Sequence, residues 1–166
     1  MVERLWALFP CSEMTATRNA IVVGVDGSPE SKAALKWAID EARLRGTELL
    51  ALCAWAYPVA SGALAQAPIP SAGDFLLKEA EEMLDAALAE AGSEGVQVRQ
   101  AVVEGDAATA LREASEHAQL LVVGSRGLSG VASMLLGSVS RRCAHEAACP
   151  VVIVREPKPE HEKEAP

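Results

Sequence analysis

The sequence predicts an α/β fold in which a parallel sheet is covered by helices on both faces. Short aliphatic segments alternate with segments of helical periodicity, in the order β-α-β-α-β-α-β-α-β. Such alternation favours parallel strands, because two strands that run in the same direction need a crossover helix between them. Right-handed crossovers then give a doubly wound domain of three layers, α/β/α.

The composition fits one domain of this kind. The chain has 166 residues, of which 50% are hydrophobic and only 4% aromatic, so a small aliphatic core is expected. No apolar run approaches the roughly 20 residues that a membrane span needs. The net charge is −8 and no basic stripe is present, which disfavours a phosphate backbone as partner. We therefore expect neither a membrane nor a nucleic acid as a partner.

The first strand-helix-strand unit has clear boundary signals. Residues 20–25 are a short β-branched run and read as a buried strand. Ser28 is a good N-cap, Pro29 is a good first helical residue, and Gly46 ends the helix. Residues 49–54 form the second predicted strand.

The second helix follows a segment with the composition of a loop. Residues 58–73 are rich in Pro, Ala, Gly and Ser, helical periodicity begins at Asp74, and Gly92 ends it. Residues 96–103 form the third, more polar strand. The inward face of this helix is predicted to hold Ala80, Met83, Leu84, Ala87, Leu88 and Ala91.

The last part of the chain repeats the alternation. Asp106 is predicted to cap a third helix, and residues 120–123 form the fourth strand. A glycine-rich segment follows, then a helix over residues 138–147 and a last strand over residues 150–154.

The ends of the chain and the cysteines suggest a cytoplasmic protein. Residues 1–18 are predicted to be a flexible extension, residues 19–155 the domain, and residues 156–166 a disordered charged tail. The apolar run at residues 5–9 is too short for a signal-peptide core. No CxxC motif occurs, so we expect small buried side chains rather than disulfides or metal ligands at Cys11, Cys53, Cys143 and Cys149.

The glycine loop, residues 124–137, leaves the fourth strand and ends at a helix start. Glycine lets a backbone turn tightly and approach a ligand closely. Free N–H groups at a helix start attract an anion, and Ser138 and Ser140 add hydroxyls. The spacing is neither a Walker A loop nor GxGxxG, so an ordinary glycine-rich turn is the alternative. The glycines are Gly124, Gly127, Gly130 and Gly137.

Three separated segments resemble the universal stress protein family. Gly124-x2-Gly127-x9-Gly137-Ser138 is similar to its ATP-binding signature. Residues 22–28, Val-Val-Gly-Val-Asp-Gly-Ser, resemble its first strand and acidic turn, and residues 148–152, Ala-Cys-Pro-Val-Val, its closing segment. The resemblance covers residues 20–155 and places the three motifs in the right order.

The resemblance implies a Rossmann-like fold of the adenine nucleotide α-hydrolase type, with a five-stranded parallel sheet in the order 3-2-1-4-5. It also implies a homodimer and, because the glycine motif is kept, membership of the ATP-binding branch, with Mg²⁺ or Mn²⁺ beside the ATP. Asp26 would lie near the adenosine, and Gly24 and Ala54 would line the base. The ribose and phosphates would contact Gly124, Ser125, Arg126, Gly127, Leu128, Ser129, Gly130, Gly137, Ser138, Val139 and Ser140.

Two of these residues have a second interpretation. Asp26 directly follows a strand at the edge where the glycine loop begins, which favours a nucleotide contact. The alternative is a turn former next to Gly27. Arg126 is the one cation of the glycine loop and could pair with phosphate, or it could be a solvated loop arginine.

The chemistry favours a binding protein over an enzyme. Phosphate hydrolysis needs charge neutralisation and an oriented water, and the sequence has no P-loop lysine and no Ser-His-Asp order. We therefore expect no catalytic residue, no metal-ligating cluster and a nucleotide-dependent regulatory role in stress response. One alternative is a slow ATP-hydrolysing enzyme of the α-hydrolase type, whose Ser-Gly-Gly loop is matched poorly by residues 25–28. Another is an electron-transfer subunit that holds flavin or AMP.

The last strand is predicted to join two copies of the chain. The implied strand order puts Val151, Val152, Ile153 and Val154 at an edge of the sheet. An apolar edge with unpaired backbone groups favours association, and antiparallel pairing about a two-fold axis would satisfy both copies. The alternative is a monomer in which the tail or the preceding helix covers this edge.

Overall fold

A computed structural model describes residues 19–56, 70–128 and 135–156. Their five strands form one parallel sheet in the order β3-β2-β1-β4-β5, as predicted. The predicted extension, residues 1–18, and residues 157–166 of the predicted tail lie outside the described residues. The strands are β1 (Ile21–Gly24), β2 (Leu49–Trp55), β3 (Val98–Glu104), β4 (Leu120–Gly124) and β5 (Val151–Val154). The helices are α1 (Pro29–Arg45), α2 (Pro70–Ala91), α3 (Ala107–Ser115) and α4 (Ser138–Glu146).

The helices cover the sheet in pairs, so the protein has three layers. Alternate residues of a strand point to opposite faces. Ile21 and Val23 of β1 therefore pack in the core beneath α1 and α2, whereas Val22 packs in the core beneath α3 and α4. The winding thus reverses between β1 and β4, which makes the carboxyl ends of these strands a topological switch point.

The ends of α1 follow from three residues that the sequence analysis identified. The hydroxyl of Ser28 accepts a hydrogen bond from the Ser31 amide at 3.2 Å, and Pro29 occupies the first turn. Gly46 ends the helix in the left-handed region, with φ 63° and ψ 38°. The first turn of α1 is thereby fixed next to the end of β1.

Two predicted element starts are wrong by more than one residue, while the other predicted boundaries agree to within one residue. Helix α2 begins at Pro70 rather than at Asp74, because proline suits the first helical position although it also fits a loop composition. Strand β3 begins at Val98 rather than at residue 96, because the Val96 amide donates to the Ser93 carbonyl in a turn. Residues 57–69 of the loop between β2 and α2 lie outside the described residues.

The three described cysteines are free thiols, and two of them belong to the core. Cys53 and Cys143 are buried, and burial raises the pKa of each thiol to about 11. Cys149 is partly exposed, and burial raises its pKa as well. The prediction of small buried side chains is confirmed for Cys53 and Cys143.

Candidate functional site

A cavity of about 330 Å³ opens at the switch point, where β1, β2 and β4 end. The structure brings most of the predicted site residues together around it. Ser125 does not line the cavity but lies buried behind it, and Ser129 and Gly130 lie outside the described residues. The predicted residues that line it are Gly24, Asp26, Ala54, Gly124, Arg126, Gly127, Leu128, Gly137, Ser138, Val139 and Ser140.

The apolar part of this cavity was missed by the sequence analysis. Leu52, Leu111 and Val123 line it, and they form a floor of aliphatic side chains from two strands and one helix. The helical period predicts that Leu111 faces inward, but no sequence signal says that it reaches the cavity. Gly24 allows Leu111 to pack closely against the end of β1, because a Cβ there would lie 3.0 Å from Leu111 Cδ1. Three further residues line the cavity: Val25, Ser31 and Ala107.

Gly124 allows the start of α1 to lie directly on the end of β4. A Cβ at this position would come within 2.8 Å of the Glu30 carbonyl carbon and 2.9 Å of the Ser31 nitrogen. Both atoms belong to the backbone and have no alternative rotamer. The first glycine of the motif therefore sets how closely α1 approaches the cavity.

Asp26 connects the end of β1 to the glycine loop. Its Oδ1 accepts hydrogen bonds from the Ser28 amide at 3.0 Å and the Ser28 hydroxyl at 2.6 Å. Its Oδ2 accepts from the Leu128 amide at 3.2 Å and lies against Gly127. Asp26 thus forms the turn after β1 and also lines the cavity, while its contact with a nucleotide stays a prediction.

The start of α4 faces the cavity. The amide of Gly137 donates to the Ser125 carbonyl at 2.8 Å, and the Ser140 hydroxyl donates to the same carbonyl at 2.9 Å. Gly137 is the N-cap and offers no side chain to the first turn, and no described residue is recorded as an acceptor for the first-turn amides of Ser138 and Val139. Free amides and the positive end of a helix dipole suit an anion.

The described glycines of the loop serve close approach rather than a tight turn. Gly124, Gly127 and Gly137 are absent from the glycines with positive φ, and Gly137 has φ −71° and ψ 169°, which any residue adopts. None of these three glycines is therefore required by a positive φ. Their contacts explain them instead: α1 for Gly124, Asp26 for Gly127, and the cavity for Gly137.

Arg126 lines the cavity but is not a free cation. Its Nη2 lies 2.7 Å from Glu30 Oε1, and the Glu30 side chain is only 10% exposed. The Arg126 side chain is itself 35% exposed. Arg126 thus fits neither interpretation alone, because it stands at the cavity while it is paired with a nearly buried carboxylate.

A second ion pair joins the N-cap of α3 to the middle of α4 beside the cavity. Asp106 caps α3 through the Thr109 amide at 2.9 Å and pairs with Arg142 of α4 at 2.7 Å. Burial by itself would raise the pKa of Asp106, but hydrogen bonds from Thr109 and Arg142 outweigh it and hold this pKa below its usual value. The pair connects α4 to the start of α3.

Two kinds of feature are absent from the described part of the chain. It contains no group of three or more His, Cys, Asp or Glu that could hold a metal ion. Within the same residues, no helix has the length and apolar character that crossing a bilayer requires.

Comparison with known proteins agrees with this geometry. A universal stress protein of Mycolicibacterium smegmatis is 41% identical over 145 residues, which are 84% of this chain and 46% of the relative. The chain spans less than half the length of the curated relatives that it matches. UspA from Lactobacillus plantarum has the same fold, with a TM-score of 0.72 and 21% identity over 84% of this chain and 99% of that one.

A second solved structure is closer in sequence. It is a universal stress protein in complex with cAMP, 30% identical, with a TM-score of 0.55 over 82% of this chain and 96% of that one. Residues 17–155 match the model of the Universal stress protein family. This chain therefore belongs to the universal stress protein family.

Proposed function

We propose that the cavity binds an adenine nucleotide, with ATP as the ligand, and that its occupancy controls a regulatory interaction of this stress protein. One observation carries the proposal: an apolar floor and the first turn of α4, whose amides have no recorded acceptor among the described residues, line the same cavity at the switch point of the sheet. A nucleotide needs these two surfaces, one for the base and one for the phosphates. The relative solved in complex with cAMP supports an adenine nucleotide in particular.

Different residues of the cavity would contact the base and the phosphates of the nucleotide. The base would lie against Leu52, Ala54 and the bare backbone of Gly24, where no Cβ narrows the cavity. The phosphates would accept hydrogen bonds from the first-turn amides of α4 at Ser138 and Val139. The Ser140 hydroxyl already donates to backbone carbonyls and serves to hold the loop against α4.

Mg²⁺ or Mn²⁺ fits this site as a cation that binds together with the triphosphate, and not as one that protein side chains hold by themselves. The described residues offer no metal-ligating cluster, and Asp26 is the one carboxylate among the described lining residues. Phosphate oxygens and water would then supply most of the ligands, which is the usual coordination of Mg²⁺ beside a nucleotide. The cation offsets phosphate charge there.

We propose a binding protein with at most slow turnover rather than an enzyme. The carboxylate oxygens of Asp26 accept three hydrogen bonds, and Arg126 is held by Glu30, so neither is free for the roles that phosphoryl transfer needs. Hydrolysis should stay far below the roughly 10 per second of a typical enzyme. A steady turnover in that range would instead favour the α-hydrolase type of enzyme.

The cytoplasm is the compartment that we propose for this role. The free, buried thiols of Cys53 and Cys143 fit a reducing environment.

A charge placed at the start of α4 tests the site. Gly137→Glu should abolish ATP binding in calorimetry, because its carboxylate would occupy the anion position at the free amides. The fold should persist, since a Cβ at Gly137 would lie 3.4 Å from the Arg126 Cα, an ordinary contact. Gln97→Glu is the matched control, because it adds the same charge at an exposed position at the opposite end of the sheet. Wild-type affinity in a folded Gly137→Glu variant would refute the site.

A further inference from the structure

The cation of the candidate site is neutralised before any ligand arrives. Arg126 is the one Lys or Arg among the described lining residues, and its Nη2 lies 2.7 Å from Glu30 Oε1. Residues 129–134, Ser-Gly-Val-Ala-Ser-Met, add no charged side chain to the glycine loop. Phosphates therefore meet an ion pair here and not a free guanidinium.

Glu30 is held in this position by the backbone. It lies in the first turn of α1, and that turn packs on Gly124, where a Cβ would come within 2.8 Å of the Glu30 carbonyl carbon. The side chain is 10% exposed, and a carboxylate that is nearly buried needs a partner. Arg126 thus cannot turn fully toward a phosphate without leaving Glu30 unpaired beside that phosphate.

The charges around the cavity oppose each added phosphate. Among the described residues at the cavity and beside it, Asp26, Glu30 and Asp106 carry negative charges and Arg126 and Arg142 carry positive charges, so negative charge is in excess. Attraction for phosphate comes mainly from the amides of α4, and these reach only the groups next to the helix start. Each further phosphate therefore adds little binding affinity, because the negative charge of Glu30 repels it.

We propose that Glu30 is a specificity-determining residue of this site: through its pairing with Arg126, it limits the gain in affinity that each further phosphate of the nucleotide brings. The inference rests on the proposed function, since it concerns the same site. It identifies Glu30 as the residue that keeps a nucleotide with few phosphates competitive with ATP, although Glu30 does not line the cavity itself.

A series of ligands of rising charge tests this role. Dissociation constants of adenosine, AMP, ADP and ATP are measured by calorimetry at fixed ionic strength and without divalent cations. Glu30→Gln keeps a side chain that can accept from Arg126 but removes the negative charge. The ratio of the adenosine constant to the ATP constant should rise roughly tenfold, whereas the adenosine constant itself should change by less than about threefold.

Glu41→Gln is the matched control for this variant. Glu41 lies on the same helix and pairs with Arg45, so the substitution removes the same charge away from the cavity. In Glu41→Gln, the ratio of the adenosine constant to the ATP constant should stay within about twofold of the wild-type ratio. An equal rise in Glu41→Gln would show that net charge, and not Glu30, sets the selectivity.

Arg126→Gln tests the same pair in the opposite direction. It leaves the charge of Glu30 without a partner, so ATP should weaken more than adenosine. The double variant Glu30→Gln, Arg126→Gln restores the net charge, and its ligand series should return toward that of wild type. This arm stays informative if Glu30→Gln alone does not fold.

The outcomes separate this inference from the proposed function. A folded wild type that binds none of the four ligands overturns both. Binding of ATP with the same ligand series in wild type, Glu30→Gln and Arg126→Gln overturns the role of Glu30 alone. A uniform weakening of all four ligands in either variant shows a merely structural pair and overturns it too.

Discussion

Gly127 lets the carboxylate of Asp26 lie directly against the glycine loop, because a Cβ at position 127 would overlap Asp26 Oδ2. The same oxygen accepts a hydrogen bond from the amide of the next residue, Leu128, at 3.2 Å. A glycine at position 127 is therefore explained by the side chain of Asp26, which follows the end of β1. This contact connects the two sides of the cavity.

Gly127→Ala should destabilise the protein by about 1–3 kcal/mol, because the added methyl group pushes Asp26 aside and breaks its bond to Leu128. Gly137→Ala is the matched control, since its Cβ would make only ordinary contacts. Urea denaturation measures both. In an Asp26→Ala background the cost of Gly127→Ala should disappear. Equal stability of Gly127→Ala and Gly137→Ala would contradict this explanation of the glycine.

Gly124→Ala should destabilise the protein more than Gly127→Ala, by about 3 kcal/mol. The added Cβ would lie 2.8 Å from the backbone of Glu30, and no rotamer change relieves this overlap. Gly24→Ala is the comparison, because its Cβ would meet side-chain atoms rather than backbone, with Leu111 Cδ1 at 3.0 Å and Val123 Cγ1 at 3.6 Å. Denaturation of both variants and nucleotide binding by the folded fraction check the prediction. The explanation is wrong if Gly124→Ala is at least as stable as Gly24→Ala.

The sequence predicted the elements well where a local signal fixes them. Ser28, Pro29 and Gly46 act on their own neighbours, so the limits of α1 were predicted correctly. Pro70 shows the limit of such signals, since proline suits both a loop and a helix start. The strand order came from the resemblance of the motifs to a family, not from any local pattern.

Of the candidate site, the sequence predicted the residues of the motifs but not the contacts that these residues make. Gly124, Gly127 and Gly137 were found by their spacing, but the reasons for them are contacts with α1, Asp26 and the cavity. The pairing of Arg126 with Glu30 joins residues far apart in the chain, and nothing in the sequence marks it. Contacts of this kind depend on how α1 packs on the sheet, which periodicity does not determine.

The buried thiols predict a loss of stability at alkaline pH. Burial raises the pKa of Cys143 from 9.0 to about 11, so the folded state keeps a proton that the unfolded state loses. This contribution to stability is fully present below pH 9 and is lost as the pH rises toward 11. Between pH 8 and about 11, the free energy of unfolding should therefore fall by about 1–2 kcal/mol less in Cys143→Ala than in wild type.

Urea denaturation at several pH values measures this difference, and Cys149→Ala is the control because that thiol is only partly buried. Cys143→Ala should also be less stable than wild type at pH 8, where the cavity left by the sulfur is its main effect. Parallel loss of stability in wild type and Cys143→Ala would contradict the prediction.

Strand β5 has one free edge in the described sheet, and its backbone shows which residues face outward. The carbonyls of Pro150 and Val154 accept bonds from β4, at Leu121 and Ser125. Because strand bonding alternates with a period of two, Val152 also faces β4, and the N–H groups of Val151 and Ile153 point away from the sheet. Proline at position 153 would therefore remove an outward N–H group and leave the pairing with β4 in place.

We predict a homodimer in which the two copies of β5 pair antiparallel about a two-fold axis, since this pairing satisfies both free edges. Light scattering at micromolar concentration should give a dimer for wild type and a folded monomer for Ile153→Pro. Gln100→Pro is the control, because its N–H points outward from β3 at the other edge of the sheet, so this variant should stay dimeric. A monomeric wild type would refute the interface, and so would a folded Ile153→Pro variant that stays fully dimeric.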